Sequence, residues 1–404
     1  MRQAGLVSQQ IRATVPAVKP QLISRRRMLR TSAALGLGAA LVPHIRTQAA
    51  KPLAKVHGIE VVSLRPGHYH GWPTLARRRN GQLLLICSGG RESHICPFGQ
   101  VELMRSDDDG ATWTFPRVLL DLAIDDRDAG ILETAKGTLL ATTFSSLAYE
   151  YQFKNGNINK WDAARQARWR GAHHRISEAE RKAQLGTSIL RSTDGGVTWS
   201  TPRDSIVNSP HGPIQLADGR QLYAGKDLWK TGKWVGVCDS TDDGQSWKKL
   251  AQIPTRPGDD PVDYHELHAV EAANGTLIAH IRNHNSANSR ETLQSESADG
   301  GKTWSVPHSI GVWGLPSHLL RLRDDRLLMT YGHRRKPFGN QARVSADHGK
   351  TWSEPVTISG DGANGDLGYP STVELANGTL LTAWYEQMSG HPHAVLRLAK
   401  WNLI

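Results

Sequence analysis

The chain has 404 residues, room for one large repeat domain or two to three ordinary ones. Its 49 Lys and Arg exceed its 38 Asp and Glu, for a formal net charge of +11, but eight of the basic residues and none of the acidic ones lie in residues 1–50. The remainder is nearly balanced, 41 basic against 38 acidic, which argues against a nucleic-acid-binding protein, and the 39 Gly and 13 Trp suit hairpin-rich β structure.

The first segment reads as a targeting signal. Ser24-Arg25-Arg26-Arg27-Met28-Leu29-Arg30 precedes a mild apolar run, Thr31 to Val42, and small residues at Thr47-Gln48-Ala49-Ala50. A basic region, an apolar region and a cleavage-compatible end are the parts of an export signal. Paired Arg25-Arg26 resembles a twin-arginine signal. The expectation is a signal over residues 1–50, the twin-arginine export machinery as transient partner, and a mature chain that is periplasmic or secreted. The apolar run is too short for a permanent span, so no stable membrane insertion is expected. Of the three cysteines, Cys87 and Cys96 could pair in an oxidising compartment. An odd count argues against a disulfide framework, and Cys238 reads as simply buried.

From residue 51 onward two patterns interleave. Turn pairs precede Leu-rich, β-prone runs at Asn80-Gly81, Lys136-Gly137, Asp218-Gly219, Asn274-Gly275, Asp324-Asp325 and Asn377-Gly378. Such pairs between apolar runs mark hairpins. Five of the six are followed by one phrase, Ser-x-Asp-x-Gly-x-(Thr/Ser)-Trp, starting at Ser106, Ser192, Ser240, Ser297 and Ser345. A fixed phrase recurring at roughly blade-sized intervals is the mark of repeat architecture. In the phrase, Ser and Asp can bond nearby backbone in a tight turn, Gly admits a conformation other residues resist, and Trp supplies apolar bulk for wedging between units. These features predict an all-β, six-bladed propeller over residues 51–404, each blade of four strands. The turn pair joins strands one and two, and the phrase joins strands three and four. The last blade lacks an outer strand, and the stretch from Gly58 to Leu64 is expected to supply it. A seven-bladed ring, with a blade inside residues 137–192, is the other reading. Residues 157–184 favour helix instead, with Ser177-Glu178-Ala179-Glu180 as a capping box. This insertion reads either as a lid on the substrate face or as a solvated surface helix.

The repeated phrase matches the Asp-box (BNR repeat) of the sialidase-like superfamily, and the resemblance covers nearly the whole mature chain. In that geometry, residues just before strand one and just after strand two share one face near the axis. Here they include Tyr69-His70-Gly71-Trp72-Pro73, Asp125 to Asp128, His211, Tyr264-His265-Glu266, His318 and Tyr369, with Arg91, His94, Lys226, Arg282, His284, Arg334-Arg335 and Tyr385-Glu386. Titratable groups converging in a concavity are a candidate active site. Glu266 precedes Arg282 across the blade-four hairpin, which resembles the sialidase segment carrying the nucleophile's glutamate partner and an arginine that binds the sugar carboxylate. The segment GYPSTVELANGTLLTAWYE places Tyr369 where the resemblance implies the nucleophilic tyrosine. A free phenol ionises near pH ~10, so a neighbouring Glu266 as proton acceptor is what the chemistry needs. Arginine suits a sugar carboxylate because its fork binds both oxygens.

The resemblance is incomplete. Sialidases carry a first arginine in an Arg-Ile-Pro segment, and the corresponding stretch here is His70-Gly71-Trp72-Pro73. The loop expected to hold the catalytic aspartate, SGGRESHICPFGQ, has Arg91, Glu92 and His94 but no Asp. Asp126 or Asp128 is a replacement, with Arg127 as an added cation. The expected catalytic set is therefore Tyr369, Glu266, His94 and Asp128. The expected substrate-binding set is Arg282, Arg335 (or Arg334), Arg127, Arg91, His70 and His211. No cofactor is expected. His265-Glu266-Leu267-His268, His173-His174 and His391-Pro392-His393 lack a matching ligand set for zinc. The leading expectation is an exported exo-glycoside hydrolase removing a terminal acidic sugar from an acidic glycan. The alternatives are a propeller lyase that abstracts a proton beside a uronate carboxylate with His or Tyr, and a non-catalytic glycan-binding propeller.

Overall fold

The structure is a computed structural model that describes residues 54–404 except 66, 231 and 287–290. The expected signal segment lies outside the described residues.

Six four-stranded antiparallel sheets follow one another along the chain. Blade 1 comprises Tyr69–Arg77, Leu83–Arg91, Gln100–Ser106 and Arg117–Leu120. Blade 2 comprises Asp125–Glu133, Leu139–Ser146, Gly186–Ser192 and Arg203–Asp204. Blade 3 has Ile214–Gln215, Gln221–Lys226, Val235–Ser240 and Lys248–Gln252. Blade 4 has Tyr264–Glu271, Leu277–Asn283, Thr292–Ser297 and His308–Ser309. Blade 5 has Ser317–Arg321, Leu327–His333, Gly339–Ser345 and Val356–Ser359. Blade 6 has Leu367–Glu374, Leu380–Glu386 and Val395–Leu403, and Ala54–Val61 pairs with the last of these as its outer strand. The ring thus closes with Ala54–Val61 beside Val395–Leu403, and the described residues form six blades and no seventh.

The innermost strands are joined around the ring by one polar contact per neighbouring pair. Thr74 Oγ1 donates to the Ala129 carbonyl at 2.8 Å, Gly130 bridges His211, and Ser209 Oγ donates to the Leu267 carbonyl. The Leu319 amide donates to His268 Nδ1 at 2.9 Å, the Thr372 amide to His318 Nδ1 at 3.4 Å, and the Leu75 amide to Ser371 Oγ at 3.0 Å. Buried backbone groups need such partners, and at five of the six junctions a side chain of one blade supplies them to the next.

The repeated phrases act as fasteners on the outer side. In the first, the Gly110 amide donates to Ser106 Oγ at 2.9 Å, while the Thr112 amide and hydroxyl donate to Asp108 at 2.8 and 2.6 Å. The other four repeat this network. Gly349, at φ +85°, shows why glycine is needed, since a Cβ there would meet Ile278 of the preceding blade at 2.3 Å. Trp304 is buried with residues of blades 3 and 4, and Trp113 packs against a core shared by blades 6 and 1.

The helical insertion lies between the second and third strands of blade 2 and starts earlier than expected. Its helices are α1 (Glu150–Lys154), α2 (Ala163–His174) and α3 (Glu178–Ala183). Asp162 caps α2, and the Ser177/Glu180 capping box is formed on α3. Trp169 of α2 is buried with Tyr149, Ile158, Ile124 and Cys96, so the insertion is anchored on the blade 1 loop rather than free in solvent. Cys87, Cys96 and Cys238 are all buried free thiols. No helix among the described residues is long and apolar enough to cross a membrane.

Candidate active site

Four of the six inner strands, and the run leading into a fifth, share one distortion near their start. Trp72 (φ 52°), Asp128 (φ 48°), His211 (φ 75°), Glu266 (φ 34°) and Tyr369 (φ 53°) all take left-handed backbone conformations. In blades 1, 2, 4 and 6 the pairing register slips there, between Gly71 and Thr74, Arg127 and Gly130, His265 and Leu267, and Gly368 and Ser371. Such a conformation costs about 1–3 kcal/mol per bulky residue, and bulges of this kind re-aim a side chain. Four of the five turned residues, from Trp72, Asp128, Glu266 and Tyr369, form one cluster at the hub.

Tyr369 and Glu266 are in direct contact, the phenol donating to the carboxylate Oε1. Arg282 Nη1 donates to Glu266 Oε2 and, at 3.0 Å, to the Tyr369 oxygen. Its Nε lies 2.8 Å from His284. Burial raises the Tyr369 phenol well above its usual range, the Glu266 charge adds to this, and Arg282 opposes both. Burial also acts to raise the Glu266 carboxyl, but Arg282 and the Tyr369 hydroxyl outweigh it and hold the group below its ordinary range. The resting pair is therefore a neutral phenol bonded to an ionised carboxylate.

Asp128 is the second carboxyl of the hub. Burial first, and then the Glu266 charge, lift it to about 7 against the pull of Arg127. Its Oδ1 is buried without a hydrogen-bond partner. Asp126, the alternative, accepts Ser145 Oγ at 2.6 Å and the Leu122 amide at 2.8 Å and serves the fold.

His94 stands at the mouth, its side chain 44% exposed. Its Nδ1 is 2.9 Å from Asp366 Oδ1 and 2.9 Å from the Tyr69 hydroxyl, which itself donates to Asp366 at 2.9 Å. Burial lowers the imidazole and the Asp366 contact works against that shift. Trp72 occupies the bulge of blade 1, in the segment where an arginine would be expected. Its ring meets His94 edge-on at 5.0 Å, Tyr385 at 5.8 Å and Tyr369 at 6.4 Å. Arg127 covers it at 4.3 Å from the ring centroid. A cation thus reaches blade 1 from blade 2.

Several expected ligands lie elsewhere. Arg91 is fully buried, with a two-pronged pair to Asp125 at 2.6 and 3.0 Å and a further bond to Ser88, so its fork is already used. His70 is buried beside Glu102 at 3.8 Å, away from the hub, and burial lowers it to about 4. His211 shares the left-handed backbone but meets His268 and His318 edge-on at 5.4 and 5.0 Å, over a cavity on the turn-pair side of the channel. Arg335 is exposed and lies flat on Trp313, 3.7 Å from the centroid. Its neighbour Arg334 is the one at the hub, 5.7 Å above the Tyr369 ring and bonded to the Leu367 carbonyl at 2.9 Å.

Sequence reasoning missed Asp366. A positional signal existed: it stands three residues before the turned Tyr369, as Tyr69 stands before Trp72 and Asp125 before Asp128. Among the described residues no group of three or more His, Cys, Asp or Glu could hold a metal ion.

The fold and its hub define an Asp-box propeller of the sialidase-like superfamily. More particularly, the chain belongs to the BNR repeat-like domain family, whose model matches residues 174–382. No curated protein matches it in sequence. A protein of unknown function from Dyadobacter fermentans superposes with a TM-score of 0.70 at 23% identity, covering 87% of this chain and 100% of that one. The intramolecular trans-sialidase of Ruminococcus gnavus gives 0.59 at 14% identity, covering 83% and 94% respectively. The leech intramolecular trans-sialidase gives 0.61 at 13%, covering 86% and 70%. These likenesses are likenesses of fold.

Proposed function

We propose that the protein is an exported exo-glycoside hydrolase that removes a terminal acidic sugar, such as a sialic, ulosonic or uronic acid, from a glycan. The observation that carries this reading is the three-way contact of Tyr369, Glu266 and Arg282. Tyr369 attacks the anomeric carbon while its proton passes to Glu266, and a bond forms between the phenolic oxygen and the sugar. The glycosidic bond breaks, and its oxygen takes a proton from His94, which Asp366 orients. Neutral His94 then draws a proton from water, whose oxygen displaces Tyr369 and leaves the sugar with its original anomeric configuration. Glu266 returns the proton to the phenolate. A phenol nucleophile is neutral at rest and repels an anionic sugar less than a carboxylate would.

Arg282, Arg334 and Arg127 hold the sugar carboxylate by charge-assisted bonds. Asp128, protonated up to about 7, sits among them without adding a negative charge. The conservative variant Tyr369→Phe should lower kcat by about a thousandfold while keeping substrate binding. Full activity in that variant would reject the assignment.

One observation favours a second reading. The Tyr69–His94–Asp366 group is a proton-transfer set with no covalent role in hydrolysis, as a lyase acting beside a uronate carboxylate would need. A product absorbing in the ultraviolet as an unsaturated uronate distinguishes the two. Export is proposed from the basic region, apolar run and small-residue end of residues 24–50, and its twin-arginine route from Arg25-Arg26, so replacing Arg25 and Arg26 by Lys should trap the chain in the cytoplasm.

A further inference from the structure

A cavity of 690 Å³ opens beside the hub, between the blade 1 loop, helix α2 and the blade 6 loop. Its inner wall is Tyr69, His94 and Asp366, the proton-donating side of the proposed site. Its outer wall is Arg165 and Arg168, carried by the helical insertion. Both guanidiniums lean on one carboxylate. Arg168 Nε is 2.7 Å from Glu92 Oε1, and Arg165 Nε is 3.3 Å from Glu92 Oε2. Trp169 Nε1 donates to the same carboxylate at 2.9 Å.

Arg91 is spent on Asp125, and Asp366 keeps its negative charge on the inner wall, bonded to His94 and Tyr69. On the outer wall, two cations against Glu92 leave one positive charge in excess. The two arginine side chains stay 30% and 54% exposed, and Arg165 is held in place by stacking 4.1 Å over Trp161. A guanidinium fixed by an aromatic face, with its outer nitrogens toward a cavity, is a ready receptor for an oxyanion.

We infer that this cavity receives the leaving-group portion of the glycan, and that it selects a leaving group bearing an anion of its own, a carboxylate or a sulfate ester. This deepens the proposed hydrolase reading and rests on it for the statement that His94 faces the glycosidic oxygen. The terminal sugar lies over Tyr369, so the next residue of the chain must pass His94 and enter the cavity. The insertion is then a specificity element, built on blade 2 and anchored on blade 1.

The test compares three substrates that share one terminal acidic sugar: sialyllactose, with a neutral leaving group; disialic acid, with a carboxylate on it; and a sulfated sialyl-N-acetyllactosamine. In the wild type kcat/KM should favour the two anionic leaving groups. In Arg168→Ala the ratio of anionic to neutral kcat/KM should fall about tenfold, carried by KM, as for the loss of one charge-assisted contact. Arg165→Gln should act in the same direction. Which of the carboxylate or sulfate substrates loses more identifies the anion. An unchanged ratio in both variants overturns the inference and leaves the hydrolase reading standing. If the wild type turns over none of the three, the hydrolase reading falls for sialic acid as the terminal sugar. Calorimetric titration with disialic acid and the sulfated glycan then decides the cavity alone: binding weakened by Arg168→Ala supports an anion receptor, and unaltered or absent binding overturns it.

Discussion

The hydroxyl of Tyr369 donates to the carboxylate of Glu266 at the hub, across 103 residues of chain. Blade 6 carries one and blade 4 the other, and both residues are in left-handed conformations that no simple strand would impose. Arg282 touches both. Glu266→Gln keeps the shape and hydrogen-bonding reach of the side chain but removes the proton acceptor. It should lower kcat by roughly 10²–10⁴ with the thermal midpoint nearly retained. A variant with full kcat would show that the phenol needs no base.

Arg334 and Arg335 separate a ligand from a neighbour. Arg334 sits above the Tyr369 ring, and Arg335 lies on Trp313 outside the hub. Arg334→Ala should raise KM for an acidic sugar about tenfold or more, the expected loss for one charged hydrogen bond. Arg335→Ala should change KM by less than about threefold, as for an exposed charge. Steady-state kinetics on one substrate check both, and the reverse order would move the carboxylate site outward.

Asp128 makes anion binding depend on pH. Its carboxyl is lifted to about 7, chiefly by burial. Below that value it is neutral, and above it the hub gains a negative charge facing the sugar carboxylate. A bound anion raises the group further, so binding takes up a proton and weakens as pH rises through 7. The dissociation constant of a non-hydrolysed acidic sugar should therefore climb above pH 7 in the wild type. In Asp128→Asn that climb should vanish. A climb of equal size in the variant would assign it to another group.

The fasteners set the behaviour in acid. Asp108 and Asp299 are held at about 2 by the Thr112 and Thr303 hydroxyls first, and then by backbone amides and serines. Asp242 and Asp347 also reach about 2, because hydroxyl and amide donors outweigh burial. An unfolded aspartate ionises near ~3.9, so these groups bind fewer protons folded than unfolded. Their contribution is fully present above pH ~4 and is lost as pH falls toward ~2. Urea midpoints should be flat in these groups above pH 5 and drop steeply between about pH 4 and 2. Asn at all four positions should flatten that drop, and an unchanged slope would place the acid sensitivity elsewhere.

Much of the site was readable as a set before any geometry. The spacing of Glu266 and Arg282 across one hairpin, and the segment around Tyr369, point to three distant residues whose side chains are in contact in the structure. The ligands around them were less legible. Arg91, His70 and His211 are hub-like in register, yet one is consumed by Asp125, one faces Glu102 and one lies edge-on to other histidines in the channel. Asp366 had no motif of its own, and only its contact with His94 and Tyr69 marks it.

Local chemistry, repeated along the chain, is enough to determine the wheel. A Ser-Asp-Gly-Thr turn closes on itself within eight residues, an Asn-Gly pair makes its own hairpin, and their alternation marks the blades, although only ring closure sets six against seven. The orientation of each hub side chain is another matter. Neighbouring residues on a strand face opposite ways, and one extra residue in a bulge reverses all those before it. Where the bulges fall depends on inner strands crowding together at the axis. Only the closed ring decides that Trp72, Asp128, Glu266 and Tyr369 share a centre while His70 does not.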